Sequence, residues 1–572
     1  MLVKLEHLAL MAASSAADDL ADDIDASVRT SRTESPVDLP SLTSLPAKAQ
    51  WLRDQVPMLD QLAALALMLD TDGDGSATLD VAAGAWEPDA LLEQAGDARF
   101  GPGFVDATGL EGEELTALLT TLGSVGRDLP PGAGVMTPVE LRQFIIDHPA
   151  VATALRDLRP IGPGLPGELN ALTLPFVTAP GDSAAVWEQR RLDARDLFAG
   201  LSPQDAAILA MTYPSLVGNL PGVPFDNRAD ANTVNVVAAL ADERAELGDL
   251  RDQHEENQHD WDFFGRNNDD LEGPIGDLED RIALYESILR DDRQIVYFDP
   301  SGDGAIAELH GDIGPRTDNV GVLVPGTGSD MSNFQGTADR SRSFQLEDPD
   351  GGLAMISWMG TDLPDSIPKD APFANYSVDG GPRLADFSRD LQLEIERSAS
   401  PDAQVTVAGH SYGGAVVGRS ELHGLQADRV LHIASAGMGH DVDDPGDLPS
   451  TQRQVDRYSL TAPGDVIELA QGAPQVTDNI GHGADPDTFD GTVRLHSGDK
   501  ADGSLNTGVG AHTSVFEEGS DAWQNMYEVF TGGDVETYRS PDYYYPPPSG
   551  YGGVSPGVQV GWNDDGSRID IE

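Results

Sequence analysis

VTVAGHSYGGAVVG, residues 405–418, places an apolar β-branched run, a G-x-S-x-G pentapeptide and a run of small residues in direct succession. The order carries more than the pentapeptide, because 62 of the 572 residues are Gly and such a pattern also arises by composition. A second match, GVSPG at 553–557, lies in a Pro/Gly-rich tail, and Pro556 lacks the backbone N–H that the residue after an activated serine has to donate. GHSYG is instead preceded by a strand pattern (VTVA) and followed by a helix pattern (GGAVVGRSELHGL). That strand-turn-helix setting presents a serine hydroxyl at the carboxyl edge of a sheet. Ser411 is expected in a strained backbone conformation, and side chains at Gly409 and Gly413 would collide with the neighbouring strand or helix.

Working outward, short apolar runs recur after Arg293: QIVYF, AIAEL, VGVLVPG, LAMISWM, VTVAG, VLHIAS, YSLTAP and VRLHS. Continuous β-branched runs bounded by Gly, Pro or Asp suit buried strands of a mostly parallel sheet. Helical patterns such as LADFSRDLQLEIERS (384–398) and AVVGRSELHGLQ (415–426) separate some of them. The alternation predicts an α/β domain over 293–535. Before it, the pattern divides into an N-terminal helix and linker (1–50), a helical domain (51–160), a Pro/Gly linker (161–183) and a helical arm (184–292). The arm contains two charged segments, 234–258 and 269–292, that read as a helical hairpin. Residues 536–572 form a Pro/Gly/Tyr-rich tail expected to be extended or disordered.

Composition limits the chemistry. With 35 Lys and Arg against 97 Asp and Glu, the net charge of -62 repels phosphate backbones and anionic lipid surfaces, so nucleic acid is not an expected partner. The chain has no cysteine, which excludes disulfides, thiolate metal sites and a thiol nucleophile. Glu6 and His7 interrupt the apolar start, so an amphipathic first helix is expected rather than a signal peptide, and a cytoplasmic protein or a non-standard export route follows. The longest apolar run, LAALALML at 62–69, falls short of the ~20 residues that span a bilayer.

A serine hydroxyl needs an activating base and an orienting acid, which in a strand-turn-helix elbow follow in the order Ser, Asp or Glu, His. His512, in TGVGAHTSVFEEG, follows a Gly-rich loop and precedes a final helix pattern; His482 and His496 are the alternatives. Asp465, in YSLTAPGDVIEL, stands directly after a strand in a tight Pro-Gly turn, whereas Asp441, Asp443 and Asp444 sit in an Asp-rich loop suited to solvation. An oxyanion hole needs two backbone N–H groups. Tyr412 supplies one, and the loop VPGTGSD offers Gly326, Thr327 and Gly328 for the other; without a G-K-[ST] ending it is not a phosphate loop.

Several ordered blocks together resemble the actinobacterial α/β-hydrolase domain family of unknown function. They are LSPQDAAILAMTYPSLVGNLPGVPFDNRADAN (201–232), YFDPSGDGAIAELHGD (297–312), NVGVLVPGTGSDMSNF (319–334), VAGHSYGG (407–414), SLTAPGDVI (459–467) and GAHTSVFEEGSDAWQN (510–525). The resemblance spans roughly 195–535. It implies an α/β-hydrolase fold, and it puts Ser411, Asp465 and His512 on the family's triad positions.

Two aspartate loops stand apart. LDTDGDGSATLD (69–80) resembles the first half of an EF-hand loop, with Asp70, Asp72 and Asp74 as candidate calcium ligands, but Val81 stands where a bidentate Glu belongs. LPPGAGVMTPVEL has Gly134 and Glu140 at the spacing of positions six and twelve, as in a decayed partner loop. A third run, Asp299–Gly304, reads as a hairpin turn. The expected function is that of a serine esterase or lipase-like hydrolase needing no cofactor beyond possible structural calcium, with an acyl ester as substrate. The alternatives are a non-catalytic surface or interaction protein that keeps the fold, and a calcium-dependent module.

Overall fold

The computed structural model describes residues 2–34, 45–69, 76–80, 88–126, 134–158, 184–259, 269–367, 369–398, 400–472, 479–508, 510–538, 559–562 and 568–571. They form two compact units, Met1–Asp242 and Glu243–Glu572. Among the described residues no helix is long and apolar enough to cross a membrane.

The first unit is helical. Helices His7–Glu34 and Leu45–Leu69 pack together, and Arg53 bridges them to Asp22 and Asp25 at 2.7 and 2.9 Å. The chain begins with a strand, Leu2–Glu6, rather than with the expected helix, and pairs antiparallel with Ser76–Asp80. Val3, Lys4, Leu5 and Glu6 alternate apolar and polar, the period of a strand. Ser76–Asp80 is the second half of the EF-hand-like segment; Asp70, Asp72 and Asp74, the candidate calcium ligands, lie outside the described residues. Glu140 has a different job from the one its spacing suggested. Its carboxylate accepts from Thr137 N–H and Oγ–H at 2.8 and 2.9 Å, closing a capping box on helix Pro138–Asp147. The signal T-P-V-E was present in the sequence.

In the second unit, Glu243–His259 at the end of helix Phe225–His259 pairs antiparallel with helix Asp269–Arg290, as the hairpin reading expected. Arg244–Glu286 (2.6 Å) and Arg251–Glu279 (2.7 Å) are exposed pairs, each worth under about 1 kcal/mol. The buried seam is Glu243, which accepts from Arg281 (2.5 Å) and from the Tyr285 hydroxyl (3.1 Å).

The eight apolar runs after Arg293 become the eight strands of one sheet: β1 (Gln294–Asp299), β2 (Ala305–His310), β3 (Asn319–Val324), β4 (Leu353–Met359), β5 (Gln404–His410), β6 (Arg429–Ile433), β7 (Asp456–Leu460) and β8 (Thr492–Arg494). Their order is β8-β7-β6-β5-β3-β4-β2-β1. Strands β3 to β8 are parallel; β1 and β2 add an antiparallel edge, joined by the hairpin at 300–304. Helices α1 (Gln335–Glu347), α2 (Asn375–Arg397), α3 (Tyr412–Glu421), α4 (Ala511–Ser514) and α5 (Asp521–Thr531) complete the layers. This is the α/β-hydrolase fold.

The order fixes which face each helix takes. The step β3-α1-β4 moves toward one edge, while β4-α2-β5 passes back over β3 and β5-α3-β6 continues that way. Right-handed crossovers therefore place α1 on one face and α2 with α3 on the other. Side chains alternate accordingly. Leu323, Met355, Ala408 and Leu431 pack with Phe344 of α1 and Trp523, Met526 and Phe530 of α5, where Phe344 stacks on Trp523 at 5.0 Å. Trp358 meets Phe387 of α2 on the opposite face. The reversal of direction falls between β3 and β5, and the crevice beyond their carboxyl ends is where open α/β sheets bind ligands.

In the tail, Gln559–Trp562 and Arg568–Ile571 pair as antiparallel strands; GVSPG lies outside the described residues.

Gly321 in β3 lies where α5 approaches the sheet, and a Cβ there would stand 2.4 Å from Met355 Sδ and 2.7 Å from Phe530 Cδ1. Gly321→Val is expected to overpack this face and lower stability by about 1–3 kcal/mol, read as a lower urea midpoint at unchanged slope.

Candidate active site

Ser411 follows β5 directly and has φ 56° and ψ -121°, a backbone conformation costly for a residue with a Cβ. The neighbouring strand holds it there. Ser411 N–H donates to the Ile433 carbonyl (3.0 Å), and the Ser411 carbonyl accepts from Ala436 N–H (2.9 Å) and Gly414 N–H (3.1 Å). The turn closes only without side chains at its flanks. A Cβ on Gly409 would stand 2.4 Å from the Gly413 carbonyl oxygen, and one on Gly413 would stand 2.3 Å from that of Pro325.

The loop after β3 comes to the same point. A Cβ on Gly326 would lie 2.6 Å from Ser411 Cβ, so this backbone passes directly over the serine. Among the described residues, no acceptor is paired with the backbone N–H groups of Gly326, Thr327 or Tyr412. Gly326 and Tyr412 are buried, and buried backbone donors without a partner are rare enough to need a reason. Gly328 N–H is already spent on the Pro364 carbonyl at 2.7 Å.

The Tyr412 side chain does separate work. Its hydroxyl donates to the Phe373 carbonyl at 2.5 Å and accepts from Ser377 N–H, pinning the loop after β4, and burial pushes the phenol up to about 12.

Asp465 follows β7 and caps the 3-10 turn Val466–Leu469, its Oδ1 accepting from Ile467 N–H at 3.0 Å. His512, on α4, places Nδ1 3.0 Å from Asp465 Oδ1 and 3.1 Å from Oδ2. The carboxylate is fully buried and the imidazole remains about one fifth exposed. A carboxylate only accepts, so Nδ1 carries the proton and Nε2 keeps its lone pair for a second partner. Among the described residues no hydrogen bond joins His512 to Ser411 Oγ, a bond that in unliganded sites commonly tightens only with substrate present. The alternatives separate clearly. His482 donates through Nε2 to the Ala371 carbonyl (2.8 Å), and among the described residues neither it nor His496 is paired with a carboxylate. Asp441 pairs with Arg419 at 2.7 Å, and Asp444 accepts from Gly446 N–H within its own loop.

Sequence reading missed three features. His410 donates through Nε2 to the His512 carbonyl at 2.8 Å, tying the elbow to the histidine loop. Glu468, one turn beyond Asp465, is pushed up to about 7 by burial. A rim of carboxyl groups sits on the same edge of the sheet. Burial, with a hydrogen bond to Asp303, raises Asp362 to about 6, and burial beside Asp303, Asp370 and Asp330 raises Asp365. Asp303 belongs to the β1–β2 hairpin and Asp362 and Asp365 to the loop after β4. Their position at the carboxyl edge was deducible once the strands were aligned, but their mutual approach was not.

Residues 299–474 match the model of a family described as alpha/beta hydrolase. The match includes Ser411 and Asp465 and ends before His512. The chain is 25% identical over 380 residues to MT2140 of Mycobacterium tuberculosis strain CDC 1551 / Oshkosh and, to the same extent, to Rv2079 of strain ATCC 25618 / H37Rv, both described as uncharacterized. These alignments cover 59% of this chain and 54% of the relatives, so the chain spans about half the length of the curated relatives it matches. Similar solved structures include the dienelactone hydrolase-like promiscuous phosphotriesterase P91 from metagenomic libraries. It shows 14% identity and a TM-score of 0.24, with 41% of this chain and 95% of that one covered. Another is XC6422 from Xanthomonas campestris, described as an a/b serine hydrolase without lid, at 15% identity, TM-score 0.21 and coverage of 35% and 83%.

Glu468 yields a stability test. Its folded pKa lies above the ordinary carboxyl value, so its contribution is complete below that value and is lost as pH rises through about 7. Glu468→Gln removes the titration. Its melting temperature is expected to match wild type near pH 4.5 and to exceed it at pH 8, as read by calorimetry across that window.

Proposed function

We propose that the chain is a serine hydrolase acting on acyl esters through a covalent acyl-enzyme on Ser411. The observation that carries the proposal is the two-oxygen approach of Asp465 to His512 Nδ1, at 3.0 and 3.1 Å, on the sheet edge that bears the strained Ser411.

In this reading Asp465 holds the imidazole in the tautomer that leaves Nε2 basic and stabilises the imidazolium that forms. His512 Nε2 takes the proton from Ser411 Oγ as Oγ attacks the ester carbonyl. The carbonyl oxygen gains the negative charge and is met by Tyr412 N–H and by an N–H of Gly326 or Thr327; each such donor is worth roughly 3 kcal/mol of barrier. Collapse breaks the bond to the alcohol, which leaves with the proton from His512. Water then gives its proton to His512 and attacks the acyl carbon, and the second collapse releases the carboxylic acid and restores Ser411. The carboxyl rim favours neutral over anionic substrates, so short neutral esters and lipid-like acyl esters are the class to screen.

Treatment with a fluorophosphonate followed by intact-mass and peptide mapping tests the reading. One adduct on Ser411 is expected in the wild type, absent in Ser411→Ala and strongly slowed in His512→Ala. No adduct on folded wild type, with both large and small probes, would favour a binding protein that keeps the fold. Gly326→Ala adds a geometric check. Its Cβ falls against Ser411, and kcat on a neutral ester is expected to drop at least about 100-fold, the scale set by loss of an oxyanion donor.

A further inference from the structure

We propose that His410, the residue immediately before the nucleophile, is a positioning residue that sets the distance of His512 from Ser411 through the His512 main chain. The inference rests on the hydrolase reading above and assigns to this imidazole a role distinct from nucleophile, base, acid or oxyanion donor.

The geometry starts from the shortness of α4. A one-turn helix has too few internal bonds to hold itself, so its place is set by what it touches. Ala511 and Val515 anchor it in the core, and Asp465 holds the His512 side chain at Nδ1. The main chain of His512 is held by His410, whose Nε2–H donates to the His512 carbonyl at 2.8 Å across 102 residues of sequence. A carbonyl only accepts, so the proton sits on Nε2 and the ring is fixed in one tautomer.

Ring contacts reinforce the tie. The His410 ring lies 4.8 Å from the His512 ring, tilted at 41°, and meets Phe516 edge-on at 5.1 Å. Phe516 is covered on its own face by the guanidinium of Arg340, 4.6 Å from the ring centroid. The charged or titratable groups facing His410 are thus His512 from the histidine loop and Arg340 from α1. Burial, aided by these two groups, holds its pKa down to about 3, so the imidazole stays neutral and its tautomer does not change with pH.

Adjacency in the chain makes this tie effective. His410 is the last residue of β5 and Ser411 the first beyond it, so one rigid strand end carries both the nucleophile and the donor that holds the base. A displacement of that end moves Ser411 and His512 together. An error of about 1 Å between reacting groups can cost on the order of 100-fold in rate, which sets the scale of the effect.

Two substitutions separate the donor from the ring. His410→Phe keeps a flat ring and removes the N–H, and His410→Gln keeps an N–H donor and removes the ring. With a neutral p-nitrophenyl ester, His410→Phe is expected to lower kcat by roughly 10–100-fold with KM changed less than about twofold. Fluorophosphonate labelling of Ser411 is expected to slow in parallel. His410→Gln is expected to recover most of the loss, and the pH profile of kcat/KM is expected to keep its wild-type midpoints in both variants. Circular dichroism and melting curves check folding, and His410→Met replaces His410→Phe if the latter does not fold. A folded His410→Phe that turns over and labels within twofold of wild type overturns the proposal, as do equal losses in His410→Phe and His410→Gln. Absence of any adduct in folded wild type defeats the hydrolase reading itself, and this proposal with it, before a variant is made.

Discussion

Ser411 is held at a positive φ by strand β6 rather than by its own turn. Its N–H and carbonyl are both engaged by the segment Ile433–Ala436, so the neighbouring strand enforces a conformation the local sequence would not choose. Everything at the carboxyl edge is then built around that fixed point. The flanking glycines are required because the turn is tight, and Gly326 is required because the loop after β3 has to cross the serine within van der Waals reach. The strained residue stands at the end of a sheet whose central strands are buried except at their first residues, Asn319 and Gln404.

Asp465 and His512 come from elements far apart in sequence and are brought together by strand order. Asp465 lies in the turn after β7, two strands from β5, and is locked as the cap of its own turn. His512 follows β8 and is carried on a helix too short to define its own position, so it is fixed from outside at both side chain and main chain. Rigid sheet on one side and a secured short helix on the other allow three loops to meet with little freedom left to lose.

Much of the fold was legible from the sequence because the inner strands β2 to β6 are buried on both faces. Several appear as continuous apolar runs bounded by Gly, Pro or Asp, and all eight runs from QIVYF to VRLHS contribute strands. The placement of Ser411 at a strand end and the approach of Asp465 to His512 could be anticipated because each of these residues stands directly after a run or a Gly-rich loop. The elements that escaped have other causes. LVKLE was too short for its two-residue period to outweigh the helix behind it, and Glu140 was assigned by spacing to a loop when its hydrogen bonds serve a helix cap. Contacts such as His410 with the His512 carbonyl, or Asp362 with Asp303, depend on approach across the fold and leave no periodic trace.

The carboxyl rim bears on the direction of traffic. An uncharged molecule reaches this edge of the sheet without electrostatic opposition, whereas an anion there meets the cluster of Asp303, Asp330, Asp362, Asp365 and Asp370. Like charges at this range repel, and the low-dielectric walls of a cleft prolong that repulsion. The same aspartates that ignore a neutral molecule therefore repel an anion, so that in the ester hydrolysis proposed above departure of the acid product is assisted and its rebinding is opposed.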